Sequence, residues 1–254
     1  MHCDNSISAV VTGAASGLGA ATAKHLKSLG VDVSGIDLPS EENKKSVTEL
    51  GAHFYACDVS DSANIDETVS AIVAKHGAPR VLINCAGIAP AKRTVSRSGP
   101  HDPALFAKVI SINLVGSYLM CAAVANAMVA ADALDDGEKG VLINTASVAA
   151  FDGQVGQCAY AASKAGIAGL TLPLARDLSS MGIRACAIAP GIFLTPMLAA
   201  MPEDVQTSLA EQVPFPKRLG HPDEYASLVQ HIIENRMLNG EVIRLDGAIR
   251  MGAK

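Results

Sequence analysis

Tyr160 and Lys164 lie four residues apart, with Ser147 upstream of them. On a helix, positions i and i+4 share one face, so a phenol and an ammonium at this spacing point into the same space. The segment after Gln157 reads as helix because alanine is abundant, and only Gly166 and Gly169 weaken it. Ser147 closes the apolar run from Val141 to Ala146, which reads as a buried strand. A strand end and the following helix would therefore bring a hydroxyl, a phenol and an ammonium together. The chemistry of that trio is proton transfer. A free tyrosine has a pKa of about 10 and is a poor base near neutrality. An ammonium ~4 Å away at an effective dielectric near 20 favours the phenolate by roughly 4 kcal/mol, with desolvation opposing part of it. Ser147 can donate to an oxygen on which charge develops. Taken alone, a Y-x-x-x-K pair is more often a plain pair on a helix surface, and the rest of the chain decides.

The elements that would position these groups alternate along the chain. A short strand, Ile7 to Thr12, runs into Gly13-Ala14-Ala15-Ser16-Gly17-Leu18-Gly19 and a helix through Leu29, ended by Gly30. Strand, glycine-rich turn and helix N-terminus together present backbone N–H groups to a pyrophosphate, although G-x-x-x-G-x-G departs from the generic G-x-G-x-x-G. A second strand, Val31 to Ile36, ends in Asp37. A carboxylate there accepts hydrogen bonds from an adenosine ribose and repels a 2′-phosphate. Ala14, Ala15 and Leu38 offer no cation nearby, so NAD is favoured over NADP. A strand from His53 to Cys57 ends at Asp58-Val59, and a helix follows from Ser62 to His76. Val81 to Ile83 leads into Asn84-Cys85-Ala86-Gly87, whose small residues let backbone pass close to a cofactor. A polar loop (Pro90 to Asp102) precedes a long helix, Pro103 to Leu134, that carries Asn113 and closes at Asp135-Asp136-Gly137. The strand Ile183 to Ala189 enters Pro190-Gly191. The segment from Thr195 to Phe215 is apolar with no clean period and suits a lid over an apolar substrate. A helix from Pro222 to Glu234 and a strand from Glu241 to Leu245 finish the chain. About seven strands with intervening helices imply one α/β domain, a doubly wound (Rossmann-type) parallel sheet with helices on both faces.

Composition narrows the function. The chain has 254 residues, 49% of them hydrophobic, enough for a sizeable core. The net charge is −5, and the basic residues are dispersed, with Lys44-Lys45 and Lys92-Arg93 no more than short clusters, so no nucleic-acid partner is expected. Six cysteines without C-x-x-C spacing read as free thiols in a reducing compartment. Seven histidines without an H-E-x-x-H pairing give no metal site. Met1 to Ser6 is short and polar for a signal peptide, and Leu119 to Leu134 is short and interrupted for a membrane span. A soluble protein is expected, cytoplasmic, with the mitochondrial matrix as the alternative.

Thr12-Gly13-x-x-x-Gly17-x-Gly19, Asp58-Val59, Asn84-Cys85-Ala86-Gly87, Asn113, Ser147, Tyr160-x-x-x-Lys164 and Pro190-Gly191 occur together and in order. Over essentially its whole length the chain resembles the short-chain dehydrogenase/reductase family. The longer runs Asn144 to Gln157, Val213 to Gly220 and Asn239 to Met251 resemble the branch that oxidises 3-hydroxyacyl-CoA to 3-oxoacyl-CoA. The resemblance implies that Tyr160 is the general base in oxidation and the acid in reduction. It implies that Lys164 holds the nicotinamide ribose and lowers the tyrosine pKa, and that Ser147 positions the substrate oxygen. Asn113 would kink its helix around a water of a proton relay. Ser16, Leu18, Asp37, Asp58, Val59, Cys85, Phe193 and Thr195 would line the NAD site with the glycine-rich turn and Pro190-Gly191. Gln154 would contact substrate, since the run around it is not needed for proton chemistry. Similar enzymes are homotetramers, which suits the Ala/Gly-rich faces of the 103–134 and 157–180 helices. Cys85 departs from the commoner asparagine of the family motif. Rival readings are a dehydrogenase of a hydroxysteroid or other secondary alcohol, and an NADPH-dependent 3-oxoacyl-acyl-carrier-protein reductase, which Asp37 disfavours. A non-catalytic NAD-binding scaffold is the third, and the intact Asn113, Ser147, Tyr160 and Lys164 set argues against it.

Overall fold

The computed structural model describes residues 1–97 and 99–253, with Asp136 and Met197 described by their backbone alone. Seven strands form one sheet: β1 (Ser8–Thr12), β2 (Asp32–Asp37), β3 (His53–Ala56), β4 (Val81–Asn84), β5 (Gly140–Thr145), β6 (Ile183–Pro190) and β7 (Val242–Leu245). Every pairing in it is parallel, and the order is β3-β2-β1-β4-β5-β6-β7. The order reverses between β1 and β4, the switch point at which open α/β sheets bind ligands beyond the strand carboxyl ends.

Strand periodicity explains the two core layers. Successive side chains point to opposite faces. Val11, Ile83 and Ile143 accordingly meet α1 (Gly17–Ser28) and α9 (Pro222–Glu234), while Val10, Leu82 and Leu142 meet α3 (Ser62–His76) and α5 (Ser117–Val129). Both faces are covered, so β4 and β5 are buried along their whole length and read as unbroken apolar runs. Helix starts follow the capping residues. Asp61 accepts from the N–H groups of Ala63 and Asn64 to open α3. Asp102 accepts from Ala104 to open α4 (Pro103–Ile110), with Pro103 in the first turn.

Four regions differ from the sequence expectation. A helix, α2 (Glu41–Glu49), follows β2; only Val47 is buried in it, so it carries almost no apolar period. The long helix ends at Val129 rather than Leu134, and it opens into a π-helical stretch, Ser111–Gly116, between α4 and α5. There the chain packs so close to Val59 that a Cβ on Gly116 would lie 2.5 Å from the Val59 carbonyl oxygen. The polar loop holds a two-residue hairpin, Val95–Ser96 with Gly99–Pro100. The apolar segment after Thr195 is helical in two places, α7 (Pro196–Ala199) and α8 (Glu203–Glu211). The long helix α6 (Cys158–Leu178) packs on β6 and α4 and carries the Tyr–Lys pair.

Candidate active site

The carboxyl ends of β1, β2, β4, β5 and β6 open onto a cavity of about 710 Å³. Of the candidate catalytic, cofactor and substrate residues, all border it except Asn84, Asn113 and Gln154.

The dinucleotide end is built from close backbone approaches. Gly13 has φ +66°, and a Cβ there would lie 2.9 Å from the Ala86 nitrogen. A Cβ on Gly19 would lie 2.1 Å from the Gly13 carbonyl oxygen, so only glycine permits this turn to fold onto its helix. Ser16, the residue before α1, makes no side-chain cap to that helix, and the first turn holds no acidic residue. Its leading N–H groups are therefore oriented for an anion, which fits a pyrophosphate. Asp37 accepts from the Ala15 N–H at 2.9 Å and the Leu38 N–H at 2.9 Å. Asn43, on the helix not anticipated from sequence, donates to the same carboxylate at 3.3 Å. Three donors thus hold the carboxylate at the rim. At the end of the neighbouring strand the Ser60 hydroxyl and N–H hold the Asp58 carboxyl below its ordinary range, with the charge of Lys108 adding to the effect. Thr12 ties the next loop down by accepting from both Cys85 N–H and Ala86 N–H at 3.1 Å. Phe193 forms a bridge with Gly220, where a Cβ would lie 2.8 Å from the ring. Thr195 precedes α7, and its methyl would lie 3.6 Å from a Cβ on Gly17.

At the chemical end, Ser147 follows β5 and is buried, its hydroxyl accepting from the Ala149 N–H at 3.1 Å. The phenol of Tyr160 is half-buried, and Lys164 is buried one turn further on α6. The Lys164 ammonium donates to the Thr145 carbonyl at 2.6 Å and stands 5.8 Å from the centroid of the Tyr160 ring. Burial pushes the tyrosine pKa up, opposed by a hydrogen bond from Ser147. Burial pushes the Lys164 pKa down to about 8. Desolvation is the largest influence on the Tyr160 phenol, and the Lys164 ammonium is anchored on the Thr145 carbonyl. The hydroxyl of Thr145 donates to the Asn84 carbonyl at 2.6 Å and lies 2.7 Å from that of Tyr225, which fixes the carbonyl-bearing residue from below.

Asn113 lies behind the cavity wall, fully buried in the π-helical stretch. Its amide accepts from the Ile88 N–H and donates to the Ile88 carbonyl, both at 2.9 Å, and donates to the Ser163 hydroxyl at 3.1 Å. The departure from α-helical geometry expected at Asn113 is present, as a widened turn rather than a kink. A Cβ on Gly87 would lie 3.2 Å from the Asn113 amide oxygen and 3.8 Å from the Lys164 ammonium. Asn84 also lies behind the wall, donating to the Asn144 side chain at 2.9 Å and the Ser117 carbonyl at 3.1 Å.

Gln154 is placed away from the cavity, donating to the Gly252 carbonyl at 3.2 Å; Gln157 borders the cavity instead. The C-terminal tail is strapped to this loop. The Arg244 guanidinium pairs with Asp152 at 2.6 Å and Asp246 at 2.7 Å, and Val155 N–H donates to the Ala253 carbonyl at 3.0 Å. That strap brings Met251 to the cavity wall. Thr12 is a motif position to which the sequence gives no role, and Asn43, Gln157 and Met251 carry no signal of their own.

The sequence pattern described as short chain dehydrogenase matches residues 8–206. The chain is 51% identical to the 3-hydroxyacyl-CoA dehydrogenase type-2 of Drosophila melanogaster, over 95% of this chain and 96% of that one. It is 50% identical to the Homo sapiens protein of the same name, over 96% and 95% of the two chains. The crystal structure of 3-hydroxyacyl-CoA dehydrogenase type-2 from Mycobacterium avium superposes with a TM-score of 0.92, at 41% identity and covering 99% of each chain.

Proposed function

The chain belongs to the short-chain dehydrogenase family, as an oxidoreductase using a nicotinamide cofactor, and from that premise we propose that it oxidises 3-hydroxyacyl-CoA to 3-oxoacyl-CoA, reversibly, with NAD. One observation carries the reading. The Tyr160 phenol, backed by Lys164, shares a cavity with Ser147 and a dinucleotide turn, on a chain half identical to enzymes of that name.

When bound, the nicotinamide ring takes or gives the hydride. The chain's own residues handle the proton and the oxygen. In reduction, the neutral phenol of Tyr160 is already the acid and protonates the new alkoxide. In oxidation the phenolate removes the hydroxyl proton, so it must be stabilised in place. The Ser147 hydroxyl and the Lys164 ammonium are the two groups positioned to do so. Asp37 supports NAD over NADP, since its carboxylate is held rigidly where a 2′-phosphate would add charge.

Assembly and compartment belong to the same reading. Phe106, Val115, Tyr118 and Val129 on the 103–129 run, and Leu172 on α6, are exposed apolar side chains. The run Pro103–Val129 is long and apolar enough to cross a membrane by length and composition, with 33% of its most apolar window buried. Contact with further copies of the chain, as a homotetramer, would cover this face. The six free thiols support a reducing compartment, the cytoplasm or the mitochondrial matrix.

The test is a panel of 3-hydroxyacyl-CoAs, hydroxysteroids and simple secondary alcohols, each with NAD and NADP. The highest kcat/KM is expected for a hydroxyacyl-CoA with NAD. A higher value for a steroid, or for NADP, would overturn the substrate or cofactor assignment.

A further inference from the structure

At the opposite end of β2 from Asp37, three groups scattered in the sequence converge. Asp32 opens β2, His53 opens β3 and His76 closes α3. One Asp32 oxygen lies 3.0 Å from His53 Nε2, and the other lies 2.9 Å from His76 Nδ1. One ligand atom from each of the three side chains lies within 4.8 Å of the others, and the imidazole centroids are 4.3 Å apart. No two histidines have a ligand pairing such as H-E-x-x-H, so the sequence gives no metal site. The parallel β2–β3 pairing, with Ser34 opposite His53, creates the proximity that spacing conceals.

We propose that Asp32, His53 and His76 form a binding site for a single zinc ion, remote from the dehydrogenase cavity. Two imidazoles and a carboxylate are a borderline nitrogen and oxygen set that zinc accepts, leaving a fourth position for water. Tetrahedral bonds of about 2.0–2.1 Å place ligand atoms roughly 3.3 Å apart, so the N···O contacts to the two Asp32 oxygens would open slightly and the three ligand atoms, now within 4.8 Å of one another, would draw in around the ion. His76 Nε2 lies 3.0 Å from the Tyr55 hydroxyl. A ligating histidine ordinarily has such a partner on its second nitrogen, which sets the tautomer and aims the first. His76 is 7% exposed, whereas His53 and Asp32 are 41% and 38% exposed and provide an entry path. A cation here would clip the starts of two strands to the end of a helix.

The probes are Zn²⁺ alone by titration calorimetry and Co²⁺ alone by visible absorption, on the whole chain without cofactor. The wild type is expected to bind one equivalent, to show a tetrahedral cobalt band and to gain melting temperature with zinc. His53→Gln and Asp32→Asn should each lose the band and the thermal gain, and Tyr55→Phe should weaken affinity by ~10-fold. Cys158→Ser, which removes the exposed thiol, should leave all three unchanged. His53 is partly exposed, so His53→Gln keeps the test valid if Asp32→Asn fails to fold. The absence of binding in the wild type, or an unchanged band in folded His53→Gln, would reduce the cluster to a pair of His–Asp hydrogen bonds and overturn the proposal.

Discussion

The Lys164 ammonium donates to the Thr145 carbonyl over 2.6 Å and stands 5.8 Å from the centre of the Tyr160 ring. The lysine is therefore fixed by the end of β5, the strand that also delivers Ser147. Strand and helix share one hinge point, and the hydroxyl, phenol and ammonium are positioned against each other by it. The cost is a charged group in the interior, seen in a Lys164 pKa of about 8.

That cost makes a stability prediction. Below pH 8 both folded and unfolded chains carry the Lys164 charge, and the folded chain is penalised for burying it. Between about 8 and the unfolded value near 10.5 the folded chain releases its proton first, so this penalty fades as pH rises. Lys164→Met should lose dehydrogenase activity yet be more stable at pH 7, by roughly 1–2 kcal/mol after the lost Thr145 hydrogen bond is set against the removed charge. Denaturant melts at pH 7 and pH 10 check it, with the gain shrinking at the higher pH.

Gly87 separates the Asn113 amide oxygen from the Lys164 ammonium, and a methyl there would come within 3.2 Å of the first. Gly87→Ala is expected to lower kcat by ~10- to 100-fold, because the wall behind the lysine must shift. The melting temperature should change little. Steady-state kinetics beside a thermal melt separates the two effects.

Much of the fold was legible because apolar period and punctuation agreed. The helices Ser62–His76 and Pro222–Glu234 occur at the residues read from the sequence, with Asp61 and Pro222 marking their starts. Strands buried on both faces read as continuous apolar runs. The misses have physical causes. Glu41–Glu49 and Glu203–Glu211 bury one residue and none, so nothing in their composition announces a packed face. The π-helical stretch at Asn113 arises from tertiary bonds to Ile88 and Ser163, which no local pattern encodes. In the site, residues with a motif were found, and those that act through another residue, such as Asn43 on Asp37, were not. The Asp32, His53 and His76 cluster was hidden for the same reason.

Asp37 is held by Ala15 N–H, Leu38 N–H and Asn43. Asp37→Ala is expected to weaken NAD binding by ~10-fold or more, the scale of a charged hydrogen bond, and to narrow the gap to NADP. Asn43→Ala should move both in the same direction by less. Cofactor titrations by nicotinamide fluorescence check the pair.

Arg244 pairs with Asp152 and Asp246, both largely buried, and so joins the loop after Ser147 to the tail that carries Met251. Arg244→Met should destabilise the protein by roughly 2–4 kcal/mol, since Asp152 loses its ion-pair partner and Asp246 keeps only that of Arg250. It should also raise KM for the acyl substrate more than KM for NAD. Thermal melts and two-substrate kinetics read these separately.

The most direct measurement is NADH formation from a 3-hydroxyacyl-CoA by the wild type and by Tyr160→Phe. Loss of the hydroxyl should lower kcat by about 10²- to 10⁴-fold while NAD still binds, the range of a single acid–base group. Turnover in Tyr160→Phe equal to that of the wild type would contradict the assignment of Tyr160 as the proton-transfer group.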